Sequence, residues 1–146
     1  MWHEITSNTD ITKFMDKICS FHDSCIKEMK YLSGAYVDEK LSMYPVNDLR
    51  ILRVIIQRQF CDDSMVELEF SGLKFLKLFP CDDEYTCEIL DSTMIMHDDN
   101  IYWCDSGGVS EKDLFSYKGT MICASKLRWR SVDGNMGQKE FYISKV

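Results

Sequence analysis

Hydrophobic and polar positions alternate with a period of two through the middle of the chain. Val66, Leu68 and Phe70 alternate with Met65, Glu67 and Glu69, the pattern of a strand with one apolar and one mostly charged face. The stretch LRILRVIIQRQF (49–60) sets Leu52, Val54, Ile56 and Phe60 against Arg53, Gln57 and Gln59, and LKFLKLF (73–79) supplies a third strand. Facing residues of an antiparallel pair share one side of the sheet. Val54, Ile56 and Phe60 can therefore join Val66, Leu68 and Phe70 only if paired positions sum to an even number, which requires a loop of three or five residues around Cys61-Asp62-Asp63. Ser71-Gly72 predicts a two-residue turn pairing Leu68 with Phe75 and Glu69 with Lys74; a bulge at Gly72 inside one long strand is the competing solution. A continuous core of Leu52, Val54, Ile56, Val66, Leu68, Phe70 and Phe75 is expected, with Phe14 and Ile18 added by a helix.

That helix is predicted from Asp10 to Ile18. Ile11, Phe14, Met15 and Ile18 fall at i, i+3, i+4 and i+7, and Ser7 or Thr9 can cap its start. After the polar break Phe21-His22-Asp23-Ser24, a strand is expected from Cys25 to Leu32. The segment AYVDEKLSMYPVND is irregular or an edge segment, because Pro45 and Asn47-Asp48 interrupt it. Further strands are predicted at Tyr85–Leu90, Thr93–His97, Ile101–Cys104, Thr120–Arg130 and near Glu140–Ser144. SGGVSEKD reads as a loop or a single helical turn. The fold class is α+β: a mainly antiparallel sheet with one N-terminal helix packed against it, in a single domain over residues 1–146.

Composition narrows the function classes. A formal charge of −7, from 24 acidic and 17 basic residues, disfavours nucleic acid and anionic membranes as partners, since both repel an acidic surface. The seven cysteines form no CxxC pair, so reduced structural thiols are expected rather than a zinc site or a disulfide scaffold. With no apolar run of membrane length and no basic or apolar leader in MWHEITSNTD, a cytoplasmic protein is expected.

Candidate chemistry is sparse. His22-Asp23 invites comparison with metal-dependent HD phosphohydrolases, but those need further helical ligands, and only His3 and His97 remain. A turn role for Asp23 or Ser24, with His22 bonded to backbone, fits the residues better. His97-Asp98-Asp99 and Asp82-Asp83-Glu84 could offer ligands to a cation, yet their spacing matches no calcium loop or HExxH, so no metal and no cofactor is expected. Cys25 beside His22 or His97 lacks the third group of a nucleophilic triad. Lys126, Arg128 and Arg130 alternate onto one strand face, where pairing to acids on a neighbouring strand is expected.

Phe21-His22-Asp23-Ser24 before a strand, then Leu68-Glu69-Phe70-Ser71-Gly72, then Leu127-Arg128-Trp129, resemble a group of small, mostly uncharacterised bacterial proteins, some of which resemble immunity proteins of toxin systems. The resemblance implies a compact α+β protein that binds another protein and performs no chemistry. Together with the charge, it leads to the expectation of a protein-binding module for a basic partner, such as a toxin. The binding residues expected are the acidic turns Asp62, Asp63, Asp82, Asp83, Glu84, Asp98 and Asp99. The alternative is a small-molecule or metal binder, or a small hydrolase, with a pocket near His22 and Asp23.

Overall fold

A computed structural model describes residues 1–144. Helix α1 (Asn8–Lys17) begins where the Ser7 hydroxyl accepts the Asp10 amide at 3.1 Å and the Asp10 carboxylate accepts the Thr6 amide at 2.9 Å. The Ser7 hydroxyl satisfies one of the amides that a first helical turn leaves open, and the Asp10 carboxylate ties down the residue before the cap. Ile11, Phe14 and Ile18 are buried and Met15 packs beside them, as the helical period requires.

The described residues contain nine strands: β1 (His3–Ile5), β2 (Ser24–Leu32), β3 (Tyr36–Val37), β4 (Met43–Tyr44), β5 (Ile51–Arg58), β6 (Met65–Lys77), β7 (Thr93–His97), β8 (Asn100–Cys104) and β9 (Met121–Ser131). Seven form one antiparallel sheet in the order β2-β5-β6-β9-β8-β7, with β1 alongside β9; β3 and β4 pair only with each other. The parity argument holds. Leu52, Val54 and Ile56 face Phe70, Leu68 and Val66. The Arg58 amide donates to the Ser64 carbonyl at 2.7 Å, leaving five residues, Gln59 to Asp63, in the turn. Phe60 is the exception, since it sits in that turn and its ring lies 4.5 Å from the Arg58 guanidinium.

Ser71-Gly72 is not a turn. β6 runs through it for 13 residues, and Leu68 faces Val54 and Trp129, not Phe75. A hairpin there would leave much of β9 without partners, whereas the continuous strand pairs with β9 along almost its full length. The strand bends instead: Gly72 has φ +60°, and the register shifts between Leu73 and Phe75. The shift turns Phe75 out of the core, 37% exposed with its ring 6.2 Å from that of Tyr102, while Leu73 and Leu76 pack inward. A Cβ at Gly72 would lie 2.9 Å from Ser125 Oγ and 3.0 Å from Ser125 Cβ. Gly72→Ala is expected to cost roughly 1–3 kcal/mol through this contact and the positive φ. Denaturant unfolding checks it, and a variant as stable as the parent would contradict the bend.

Because of the bend, Leu78–Cys81, just past β6, line a cleft of 250 Å³ with Ile26 of β2 and Thr120. The far end of β6 thus returns to the edge of the sheet, and both halves of β6 and β9 close over one core with α1. A smaller cluster, Tyr102, Cys104, Met121 and Cys123, packs under the 3₁₀ turn Glu111–Ser116 through Leu114. Burial pushes the Tyr102 hydroxyl up to about 12 and the Cys104 thiol up to about 11, so both stay neutral packing groups.

The outer face of β5, β6 and β9 is charged but not open. Glu69 accepts from Arg53 Nε at 3.0 Å and Arg128 Nε at 2.8 Å, and Glu67 accepts from Arg130 Nε at 2.8 Å and from the Tyr142 hydroxyl. The Trp2 ring covers both Arg128 and Arg130, at 4.4 and 4.6 Å. Arg128 and Arg130 of the basic row are therefore matched to acids one strand away, as expected, whereas Lys126 stands opposite Ser71.

Two expected strands do not form. In Tyr85–Leu90 only Ile89 bridges the sheet, donating its amide to the Ser24 carbonyl at 2.7 Å. Near Glu140–Ser144, the Phe141 and Tyr142 amides donate to Glu28 Oε1, each at 2.7 Å. Side-chain anchoring replaces a ladder in that tail, and the Tyr142 hydroxyl reaches Glu67. Among the described residues no helix is long and apolar enough to cross a membrane.

Candidate functional site

The chain leaves α1 through an uncommon backbone. Cys19, Ser20 and Phe21 have φ of 52°, 51° and 62°, a left-handed turn, and Asp23 follows at 53°. Left-handed backbone costs an L-residue about 1–2 kcal/mol, so strong contacts must hold it. Phe21 is fully buried, edge-on to Phe14 at 5.9 Å and Trp103 at 5.5 Å. The Ser24 hydroxyl donates to the Phe21 carbonyl, and the Ser92 hydroxyl donates to the Ser20 carbonyl at 2.9 Å. His22 Nδ1 lies 2.8 Å from the Leu90 carbonyl, which makes it the proton donor, and Nε2 lies 3.3 Å from the Asp23 carboxylate. Each residue of Phe21-His22-Asp23-Ser24 thus has a local structural task.

Beside this turn lies a cleft of 490 Å³. Asp23 lines it, with Cys25, Gln57, Arg58, Cys87 and Glu88, whereas His22 is not among its walls. Arg58 is only 3% exposed. Its Nη1 donates to the Asp62 and Asp63 carbonyls at 3.1 and 2.7 Å, which ties down the β5–β6 turn, while Nε is buried without a partner among the described residues. Burial pulls its basicity down, against the pull of Cys19, Asp63 and Asp133. The cleft can accept a small polar group, but no imidazole is held there against a nucleophile. Among the described residues no group of three His, Cys, Asp or Glu side chains converges where a metal ion could sit.

The seven acidic positions have separate neighbourhoods. Asp63 pairs with Lys17 at the end of α1 at 3.3 Å and is largely covered. Asp98 pairs with His97 at 3.2 Å, and His97 also meets Glu111 at 3.6 Å. Asp82 accepts the Glu84 amide at 2.9 Å within the long β6–β7 connection, where Asp83 and Glu84 are exposed. Asp62 and Asp99 are exposed in their turns.

The most unusual surface lies elsewhere, in the β3–β4 ribbon between Ser33 and Leu49. The Asp38 carboxylate accepts the Lys40 and Ser42 amides at 2.9 and 3.0 Å, and the Asp38 amide donates to the Ser42 carbonyl at 3.0 Å, folding the tip. The Tyr36 and Tyr44 rings stack at 4.8 Å. At the base, the Leu49 amide donates to the Ser33 carbonyl at 3.1 Å, and Gly34 (φ +97°) lies so close to Asp48 that a Cβ would be 1.9 Å from its Oδ1. The ribbon is a built element, yet its apolar side chains face outward. Leu41 is 85% exposed and Met43 69%, and Tyr36, Val37, Tyr44, Val46 and Leu49 are each about half exposed or more. Exposed apolar groups concentrated in this way on one element are the kind of patch that marks interaction surfaces.

The sequence contained signals for both missed features. Arg58 shares the even parity of Leu52, Val54 and Ile56, which assigns it to the buried face. Tyr36-Val37 and Met43-Tyr44 flank Asp38-Glu39-Lys40 as apolar pairs around a turn, and among the described residues no third strand pairs with them. Comparison of the chain with protein-family models, curated proteins and solved structures finds no match.

Proposed function

We propose that this chain is a non-enzymatic protein-binding module that acts in the cytoplasm and grips a basic partner protein through the β3–β4 ribbon. The outward apolar surface of that ribbon carries the proposal. Leu41, Met43 and Val46 would bury in an apolar groove of the partner as the energetic anchors, and the stacked tyrosines would stiffen the arm and so lower the ordering cost of binding. The net charge of −7, with the exposed acids Asp62, Asp82, Asp83, Glu84, Asp98 and Asp99, would speed encounter with a basic partner rather than hold it. An immunity protein that neutralises a basic toxin is one such module. The Asp23 cleft supports the alternative of a small-ligand site less well, because the imidazole it would need is bonded to Leu90.

The test separates anchor from steering. Leu41→Ser, Met43→Ser and Val46→Ser together should leave the melting temperature unchanged and weaken partner binding by about tenfold or more. Asn and Gln at the seven acidic positions should slow association and flatten its dependence on salt, with a smaller effect on dissociation. A partner held equally well by the ribbon variant would overturn the proposal.

A further inference from the structure

Among the described residues β3 and β4 pair with each other and with no other strand, Tyr36 opposite Tyr44 and Val37 opposite Met43. The Asp38 amide donates to the Ser42 carbonyl at 3.0 Å, which makes Asp38 and Ser42 a hydrogen-bonded pair. Opposite residues of an antiparallel ladder alternate between pairs that exchange hydrogen bonds and pairs whose N–H and C=O groups point away from each other. Counting back from Asp38 and Ser42, Val37 and Met43 turn their backbone groups outward, while Tyr36 and Tyr44 bond across the ribbon. No backbone group outside the ribbon pairs with Val37 or Met43 among the described residues. The same alternation puts the stacked tyrosine rings on one face and the Val37 and Met43 side chains on the other. All four side chains are about half exposed or more, so both faces are apolar and both edges are unpaired. A lone two-stranded ribbon is marginal in water, and a third strand is what completes such a unit. The two edges differ in what they offer that strand. On β4 the next outward position after Met43 is Pro45, which has no N–H to give and is a residue that blunts an edge. On β3 the corresponding position is Ala35, whose N–H is held by the Ser33 hydroxyl at 3.0 Å, a bond that an incoming carbonyl can replace. Towards the tip the β3 edge leads to the exposed Glu39.

We propose that the edge of β3 is a strand-docking site: an extended segment of the basic partner pairs with the outward N–H and C=O of Val37. Resting on the ribbon as the binding element, this adds how the partner is held. Main-chain bonds to the edge supply affinity for any extended backbone. Side chains of the docked strand then alternate between the tyrosine face and the Val37–Met43 face, which selects apolar residues. Glu39 at the tip favours Lys or Arg in the flanking position, in keeping with a basic partner.

The probe is a short synthetic peptide of alternating Lys and Val, titrated into the full isotope-labelled chain and followed by amide shifts and intermolecular NOEs. The expected result is a downfield shift of the Val37 amide, with NOEs from Tyr36 and Val37 to the peptide backbone. The same peptide N-methylated throughout cannot pair and should leave the ribbon unchanged. An amide-to-ester replacement at Val37, made with the matching hydroxy acid, deletes the N–H and keeps the side chain. It should weaken peptide binding roughly three- to tenfold, while the same replacement at Met43 leaves binding nearly unchanged. Neither N–H serves the β3–β4 ladder, so both ester chains should keep the NOEs between Tyr36 and Tyr44, which guards against an unfolded ribbon as the cause. Equal weakening by the two esters, or no weakening by either, would overturn the edge as the docking site. If Leu41→Ser, Met43→Ser and Val46→Ser together still abolish binding in that case, the ribbon remains the binding element and only the strand pairing falls. Shifts confined to segments outside Ser33–Leu49 would overturn the proposal too. So would Val37 amide exchange that slows as the chain alone is concentrated, which would assign the edge to a second copy.

Discussion

Replacing Leu68 with Ala is expected to destabilise the protein by about 2–5 kcal/mol, one of the largest losses available to a single truncation here. Leu68 is 1% exposed and sits at the centre of the sheet, between Val54 of β5 and Trp129 of β9. Trp129 in turn stacks on Phe14 of α1 at 4.8 Å. Removing the Leu68 methyl groups therefore leaves a void under the contact that fastens the helix to the sheet. β-strand backbone on both sides cannot collapse to fill it, which places the cost in the upper part of that range. Urea unfolding measures the loss. A value below about 1 kcal/mol would mean that the register of β5 against β6 differs from the one described.

A comparable loss is expected on the opposite face, from Glu69→Leu. The carboxylate bridges Arg53 and Arg128, and its loss leaves two guanidinium groups facing an apolar residue. Breaking a buried pair costs about 3–5 kcal/mol, and because both arginines are about one-third exposed, solvent recovers part of that, giving roughly 2–4 kcal/mol. The same residue gives the pH dependence a sign. Burial alone would raise the Glu69 carboxyl, but hydrogen bonds from Arg128 and Arg53 and their charges outweigh it and hold the group below the ordinary carboxylate range. A group depressed in the folded state adds stability above its unfolded pKa, and that contribution disappears as pH falls through the folded value. The parent should thus lose stability on acidification below the ordinary carboxylate pKa, and Glu69→Gln should have a shallower acid limb. Parallel acid limbs in the two proteins would show that Glu69 does not contribute to it.

The sheet was legible in the sequence wherever one face is apolar and the other carries mostly charged residues, as in β6. Val54, Ile56, Val66 and Leu68 carry the alternation that determined the register, although Ile55 and Met65 on the other face are apolar and buried too. The helix was legible for the same reason at its own period. The failures have distinct causes. Ser71-Gly72 has the local chemistry of a tight turn, but the choice between turning and bending was made by β9, more than fifty residues away, whose backbone groups needed a partner. Tyr85–Leu90 and Glu140–Ser144 have strand composition, yet they are held by isolated bonds rather than a ladder, Ile89 to Ser24 in the first and Phe141 and Tyr142 to Glu28 and Glu67 in the second. The acidic turns were located correctly as turns, while tertiary packing gives them separate neighbours, Lys17 for Asp63 and His97 for Asp98. Phe21-His22-Asp23-Ser24 stood out as a motif, and the structure shows why: it fastens a strained left-handed turn. The β3–β4 ribbon was the hardest to see, because its alternation is only two residues long on each arm and its apolar groups stay largely exposed among the described residues.

That last property is also what carries the proposed binding role of the ribbon, and amide hydrogen exchange probes it most directly. A basic partner protein captured on the chain from its native host is bound to the intact chain, and exchange is compared with that of the free chain under identical conditions. The account predicts that protection on binding concentrates between Ser33 and Leu49, with the amides of Val37, Leu41 and Met43 slowed most. Protection confined to other segments, with the ribbon exchanging as fast as in the free chain, would contradict it.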